Sequence, residues 1–189
     1  MIYEFTLKVK FILLIFLFAY LTAQETHLKL FEKDGLYGYK NQHDQIVISA
    51  KYPAAMNFNE KGIAAVADSS GWAYIDTQGN ILIRPYIYDN GPDYISEGLA
   101  RFVENSKFGF FDDSGKIVID AQWDFAYPFK NGRTAVCKGC KIIIENEHCS
   151  IIGGEWGYID RTGKVIIPIG SVNPDSVHYK LDKIDIFRM

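Results

Sequence analysis

The chain has 189 residues, 48% of them hydrophobic and 23% charged, with a formal net charge of −3. That length allows one ordinary domain or one short repeat array, and the composition excludes a disordered body. No basic block stands out, so the electrostatic footprint of a nucleic-acid binder is missing.

Residues 1–23 read differently from the rest. Lys8 and Lys10 precede the apolar run from Phe11 to Leu21, and Thr22, Ala23 and Gln24 follow. A basic flank, a short apolar core and a small residue at the cut point predict a signal peptide. The apolar core is about half the length that crosses a bilayer. Export to the periplasm, the cell envelope or the medium is therefore expected, with no integral membrane span after cleavage.

From residue 24 to residue 170 the chain repeats itself, in units of about 35–66, 70–103, 107–137 and 155–168. The units align on Tyr39, Tyr74, Phe110 and Tyr158, and each places an aliphatic run at Ile46, Ile81, Ile117 or Val165. Self-similarity at such a period marks a repeat architecture. Each unit opens with a short aromatic piece such as "GYID" or "GFFD". A polar turn follows, from Asp76 to Gly79, from Asp112 to Gly115 and from Asp160 to Gly163, with Asn41 and Asp44 in those places in the first unit. An Asp or Asn side chain can accept from backbone N–H groups just ahead, and Gly or Asp tolerates positive φ at the end. A β-branched run completes a hairpin. A longer connection then leads to a third piece, "IAAVA", "LARFV" or "RTAVC".

The expected fold is all-β, a meander of antiparallel hairpin repeats with about three strands per unit. Residues 28–31 read as a third strand lacking its own first two, and the fourth unit lacks a clear third. Two arrangements follow: an open twisted array, or a propeller-like ring in which residues 28–31 complete the last unit.

Between the third and fourth units lies an insertion, read as a hairpin over about 140–153, that brings "CKGCKIIIENEHC". In an exported protein, cysteines usually form structural disulfides. Cys137, Cys140 and Cys149 allow three pairings, and each leaves one thiol over. Cys137, Cys140, His148 and Cys149 also form a conceivable zinc set, although adjacent strand residues point to opposite faces. A redox reading of "CKGC" requires a helix N-terminus that this strand-like context does not offer.

The motif "EWGYIDRTGKVIIP" at residues 155–168 resembles the WG repeat of bacterial proteins, and the resemblance extends over roughly residues 28–168. Its structural positions here are Tyr37 and Gly38, Trp72, Phe108 and Gly109, and Trp156 and Gly157, with turn glycines Gly79, Gly115 and Gly163. Tyr37 and Phe108 replace the Trp, and Ala73 replaces the Gly after Trp72. The resemblance implies no general enzymatic activity. It implies surface or envelope proteins, or adaptors.

The residues agree. The four histidines lie outside metalloprotease spacings, and no nucleophile elbow, Walker loop or dinucleotide fingerprint occurs. No catalytic residue, cofactor or metal is expected. The recurring aspartates read as turn formers, and the repeated aromatics read chiefly as core. The function expected is a non-enzymatic binding or scaffold module for a protein or an envelope glycan, with a purely structural module, or behind it a thiol-redox or metal protein using Cys137, Cys140 and Cys149, as the alternatives. A binding face is sought among aromatics on the connections: Tyr86, Tyr88, Tyr94, Trp123 and Tyr127. Residues 171–189 read as a polar tail with scattered aliphatics, either a docking strand or a frayed end.

Overall fold

The computed structural model describes residues 27–145 and 148–173, with the backbone alone at 144–145 and 148–149. The leader read at residues 1–23 and most of the tail lie outside the described residues. Among the described residues every regular element is a strand, and every strand pair is antiparallel.

The chain divides into two compact units, one ending at Arg84 and one starting at Pro85. The first contains two sheets. Strands β1 (Lys29–Lys33), β2 (Leu36–Lys40) and β3 (Ile46–Tyr52) form one. Strands β4 (Ala54–Ala55), β5 (Ala64–Asp68), β6 (Gly71–Ile75) and β7 (Ile81–Ile83) form the other. Tyr39, Ile48, Tyr52, Val66 and Ile75 are buried together as its core.

The second unit starts with a two-stranded piece, β8 (Ile87–Tyr88) and β9 (Gly91–Pro92). A sheet of β10 (Leu99–Glu104), β11 (Lys107–Asp112) and β12 (Ile117–Trp123) follows. The last large sheet combines β13 (Phe125–Ala126) and β14 (Arg133–Lys138) with β17 (Glu155–Asp160) and β18 (Val165–Val172). Between β14 and β17 the insertion forms its own hairpin, β15 (Lys141–Glu145) against β16 (His148–Ile152). Phe108, Phe110, Trp123, Phe125, Phe129 and Trp156 dominate the core.

The sheets regroup the strands in a way that the sequence frame hides. Each large sheet joins a third piece to the aromatic and branched pieces that come after it, as β1-β2-β3 and β10-β11-β12 show. Strand β1 is thus the start of the first sheet, not an orphan. β1 pairs with β2 and β18 with β17, and no β1–β18 ladder exists among the described residues. Among the described residues each of the four large sheets contains its third piece: β1, β5, β10 or β14.

The Gly of each repeat exists because the next strand crosses directly over it. A Cβ at Gly38 would lie 2.5 Å from the Ile48 carbonyl oxygen, one at Gly109 2.6 Å from that of Ile119, and one at Gly157 2.6 Å from that of Ile167. At each of these places the ladder breaks register in a bulge, for example between Tyr37↔Tyr52 and Tyr39↔Ile48. Ala73 stands where the second copy should have Gly. There the branched strand β7 ends after 3 residues, whereas β3 and β12 each run for 7. Pro85, two residues past the end of β7, bridges Phe102 in the second unit's own sheet.

Candidate functional site

The four hairpin turns share one hydrogen-bonding scheme. The Asp76 carboxylate accepts from the N–H of Gln78 and Asn80, each at 2.9 Å. Asp112 accepts from Ser114 and Lys116 at 2.9 and 3.1 Å, and Asp160 from Thr162 and Lys164 at 2.9 and 3.1 Å. Asn41 does the same for His43 and Gln45 at 2.9 and 3.0 Å. The closing residue has positive φ in every case: Asp44 60°, and Gly79, Gly115 and Gly163 at 83–85°. Asn59 repeats the scheme before β5, accepting from Lys61 and Ile63 at 3.0 and 3.1 Å. That copy is absent from the sequence reading, although Asn59 to Gly62 is spaced like Asp76 to Gly79.

These carboxylates are committed to backbone. Partial burial pushes Asp76 and Asp112 up, but hydrogen bonds from Asn80 and Gln78, and from Ser114 and Lys116, outweigh it and hold both below the usual carboxylate range. The Thr162 hydroxyl and the turn N–H groups hold Asp160 down. None is left raised and poised for proton transfer.

The aromatics sought as a binding face separate into three kinds. Trp123 is a correction: it is 3% exposed and packs in the core. It pairs with Phe108 across the bulge, as Tyr52 pairs with Tyr37, so its side chain turns inward. Tyr127 and Tyr86 are half-buried and held by rings, Tyr127 against Phe125 at 5.0 Å and Tyr86 against Phe108 at 4.9 Å. Tyr88 and Tyr94 meet edge to face at 6.4 Å, and Tyr94 is 59% exposed.

Beneath Tyr86 and Tyr88 lies a buried ion pair. The Arg101 guanidinium donates to Asp93 from Nε at 2.9 Å and from Nη2 at 2.6 Å, and to the Ala126 carbonyl from Nη1 at 3.0 Å. The guanidinium carbon lies 4.9 Å from the Tyr86 ring centre. Asp93 also accepts from the Arg101 N–H at 2.8 Å, so backbone and side chain are locked together. A buried bidentate pair with this many bonds is positioned as structure.

Among the motif aromatics, Phe108 and Trp156 are buried, and Trp156 Nε1 donates to the Gly153 carbonyl at 3.0 Å. Tyr37 and Trp72 are half-buried. No row of stacked rings faces solvent at these four positions.

Cys137 and Cys140 are joined as a disulfide, with Cα atoms 6.1 Å apart. Cys137 is inaccessible and Cys140 is 8% exposed. The bond consumes two of the four residues of the zinc reading, and His148 and Cys149 are described by backbone alone. A Cβ at Gly154 would lie 2.5 Å from the Cys140 nitrogen and 2.6 Å from Cys137 Sγ. Disulfide and glycine together pinch the base of the β15–β16 hairpin.

One surface feature was not singled out in the sequence. The first two residues of each branched strand are exposed in all four repeats: Ile46 and Val47, Ile81 and Leu82, Ile117 and Val118, and Val165 and Ile166, at between 41% and 60%. The third is buried at Ile48, Ile83 and Ile119. Each pair occupies the outermost strand of its sheet, where side chains on both faces meet solvent. In sequence these pairs merge with the buried residue into one aliphatic run, which periodicity cannot divide.

The WG-containing repeat family model matches residues 37–68, 72–108, 108–141 and 156–170. The chain belongs to the WG-containing repeat family. Each of the first three family repeats starts on an aromatic strand and runs into the next sheet, so the repeat in sequence straddles the repeat in space. This WG-repeat chain matches no curated protein.

Proposed function

We propose that this WG-repeat chain is a non-enzymatic, exported binding or scaffold protein of the bacterial envelope, and that its partner is a protein. The observation that carries the reading is the recurrence of two exposed aliphatic residues on each outermost branched strand. Single exposed aliphatics are ordinary, but the same pair at four equivalent places forms a repeated apolar signature suited to protein contact. The occupied turn carboxylates and the structural use of the Asp93–Arg101 pair support a role without catalysis. The leader pattern at residues 1–23 and the Cys137–Cys140 disulfide support an oxidising compartment.

A glycan partner is the second reading, supported by the exposed Tyr94 beside Tyr88. To test both, residues 24–189 are immobilised in oxidised form and exposed to solubilised envelope. Bound proteins and glycan fragments are then read by mass spectrometry. An enriched protein displaced by soluble bait supports the first reading. Glycan retention lost in Tyr94→Ala supports the second, and neither at micromolar bait leaves a structural module.

A further inference from the structure

Residues paired directly across an antiparallel ladder share one face of the sheet. In the first sheet Lys29↔Lys40, Phe31↔Gly38 and Lys33↔Leu36 share a face, opposite the one on which Leu30 and Tyr39 join the core. The other three large sheets have the same register. Lys29 corresponds to Ala64, Ala100 and Thr134, Phe31 to Val66, Phe102 and Val136, and Lys40 to Ile75, Phe111 and Ile159. All of these equivalents are at most 4% exposed. Ala64, Val66 and Ile75 belong to the first unit's core, and Val136 and Ile159 to the second's. In the first sheet the face is open instead: Lys29, Lys33 and Leu36 are exposed, and Phe31 and Lys40 are half-buried.

This open face is cationic as well as apolar. Lys29 stands directly opposite Lys40, a like-charge pairing that works against the ladder. Lys40 Nζ lies 4.9 Å from the Phe31 ring centre. Lys33 follows Lys29 on the same face, about 13 Å along the strand. Among the described residues none of the three lysines forms an ion pair. Glu32, the acid between Lys29 and Lys33 in sequence, shares the opposite face with Tyr37. Lysines on an edge strand commonly guard it against stray pairing. Lys40, however, lies on the central strand β2, where there is no edge to guard.

We propose that this face of the first sheet docks on an anionic membrane surface, with Lys29, Lys33 and Lys40 at the lipid headgroups and Phe31 and Leu36 at the acyl boundary beneath them. Charge complementarity selects an anion, because a chain of net charge −3 gathers only cations on this face of β1 and β2. The apolar side chains select the lipid. Lysines alone would hold an acidic peptide, whereas lysines around Phe31 and Leu36 match headgroups lying over hydrocarbon. Lysine stems can rest on such apolar surface while their ammonium groups reach the phosphates. None of these residues belongs to the exposed aliphatic pairs, so the two surfaces are tested separately.

The test is cosedimentation with vesicles of equal parts phosphatidylglycerol and phosphatidylcholine, and with vesicles of phosphatidylcholine alone. The protein is residues 24–189, the exported form expected once the leader is cut, which keeps every described residue. One variant carries Lys29→Gln, Lys33→Gln and Lys40→Gln. A control of equal charge carries Lys61→Gln, Lys116→Gln and Lys164→Gln, all at exposed positions. A third variant carries Leu36→Gln. The parent should bind the anionic vesicles about tenfold more tightly than the neutral ones, and the first variant should lose that preference. The control should stay within about twofold of the parent, and Leu36→Gln should bind about threefold more weakly. No binding by the parent, or equal loss in the two triple variants, overturns the proposal. So does binding undiminished by Leu36→Gln, because an acidic protein surface would then serve as well. The first variant relieves a like-charge pair and should melt no lower than the parent. Should it fail to fold, Lys33→Gln is read against Lys61→Gln by the same criterion.

Discussion

Asp112 shows how little of this molecule's polar chemistry is free. Its carboxylate accepts from two backbone N–H groups and the Ser114 hydroxyl, in a turn built the same way four times over. Asp112→Ala removes these bonds and is expected to cost about 1 kcal/mol in a denaturant titration, whereas Asp112→Asn keeps most of that. Asn41 already performs the role in the first repeat. The same carboxylates set the acid limit. Asp76, Asp112 and Asp160 are depressed as described, Asp68 by Arg84 and Ser70, and Asp124 by Lys107 and Gly139. A depressed folded-state value contributes stability that is fully present above the unfolded carboxylate value. That stability is lost as pH falls through the folded values, so thermal midpoints should hold above about pH 4.5 and drop below it. Turn roles were legible in the sequence because Asp, Asn and Gly act locally. Trp123 was not legible, because its inward facing depends on a bulge in the ladder with the preceding strand β11, which shifts the register.

At the scale of elements, the decisive contact is backbone crossing glycine. Gly109→Ala places a methyl 2.6 Å from the Ile119 oxygen and 2.7 Å from the Ala121 nitrogen. It should destabilise the second unit by about 2–3 kcal/mol in chemical denaturation. Ala73→Gly should change stability by under about 1 kcal/mol, since no strand crosses there. The β15–β16 insertion depends on its base in a different way. Reducing Cys137–Cys140 opens a short loop and should lower stability by about 2 kcal/mol, read as the shift between melts with and without reductant. The presence of strands and hairpins was legible from alternation and turn chemistry. Their grouping into sheets was not, since a repeat read from its aromatic does not reveal which neighbour its last strand joins.

For the whole molecule, each of the first three family repeats straddles two sheets. The first three copies lend their last strand to the next sheet, and Ile48 and Ile119 are each buried under the following turn within their own unit. The aliphatic pair that recurs on each branched strand stays exposed, and the proposed function rests on it. The all-β repeat architecture was legible because it is written four times. The exposure of the pairs was not, because burial along these strands is set by the following repeat and not by local pattern. The most direct measurement compares two baits from solubilised envelope: residues 24–189 and the same chain with Ile46→Lys, Ile81→Lys, Ile117→Lys and Val165→Lys. These four residues are exposed, so both baits should give matching circular dichroism and melts. The proposed function predicts a protein captured saturably by the first bait and at least tenfold less by the second. Equal capture by both, or none by either, would contradict it.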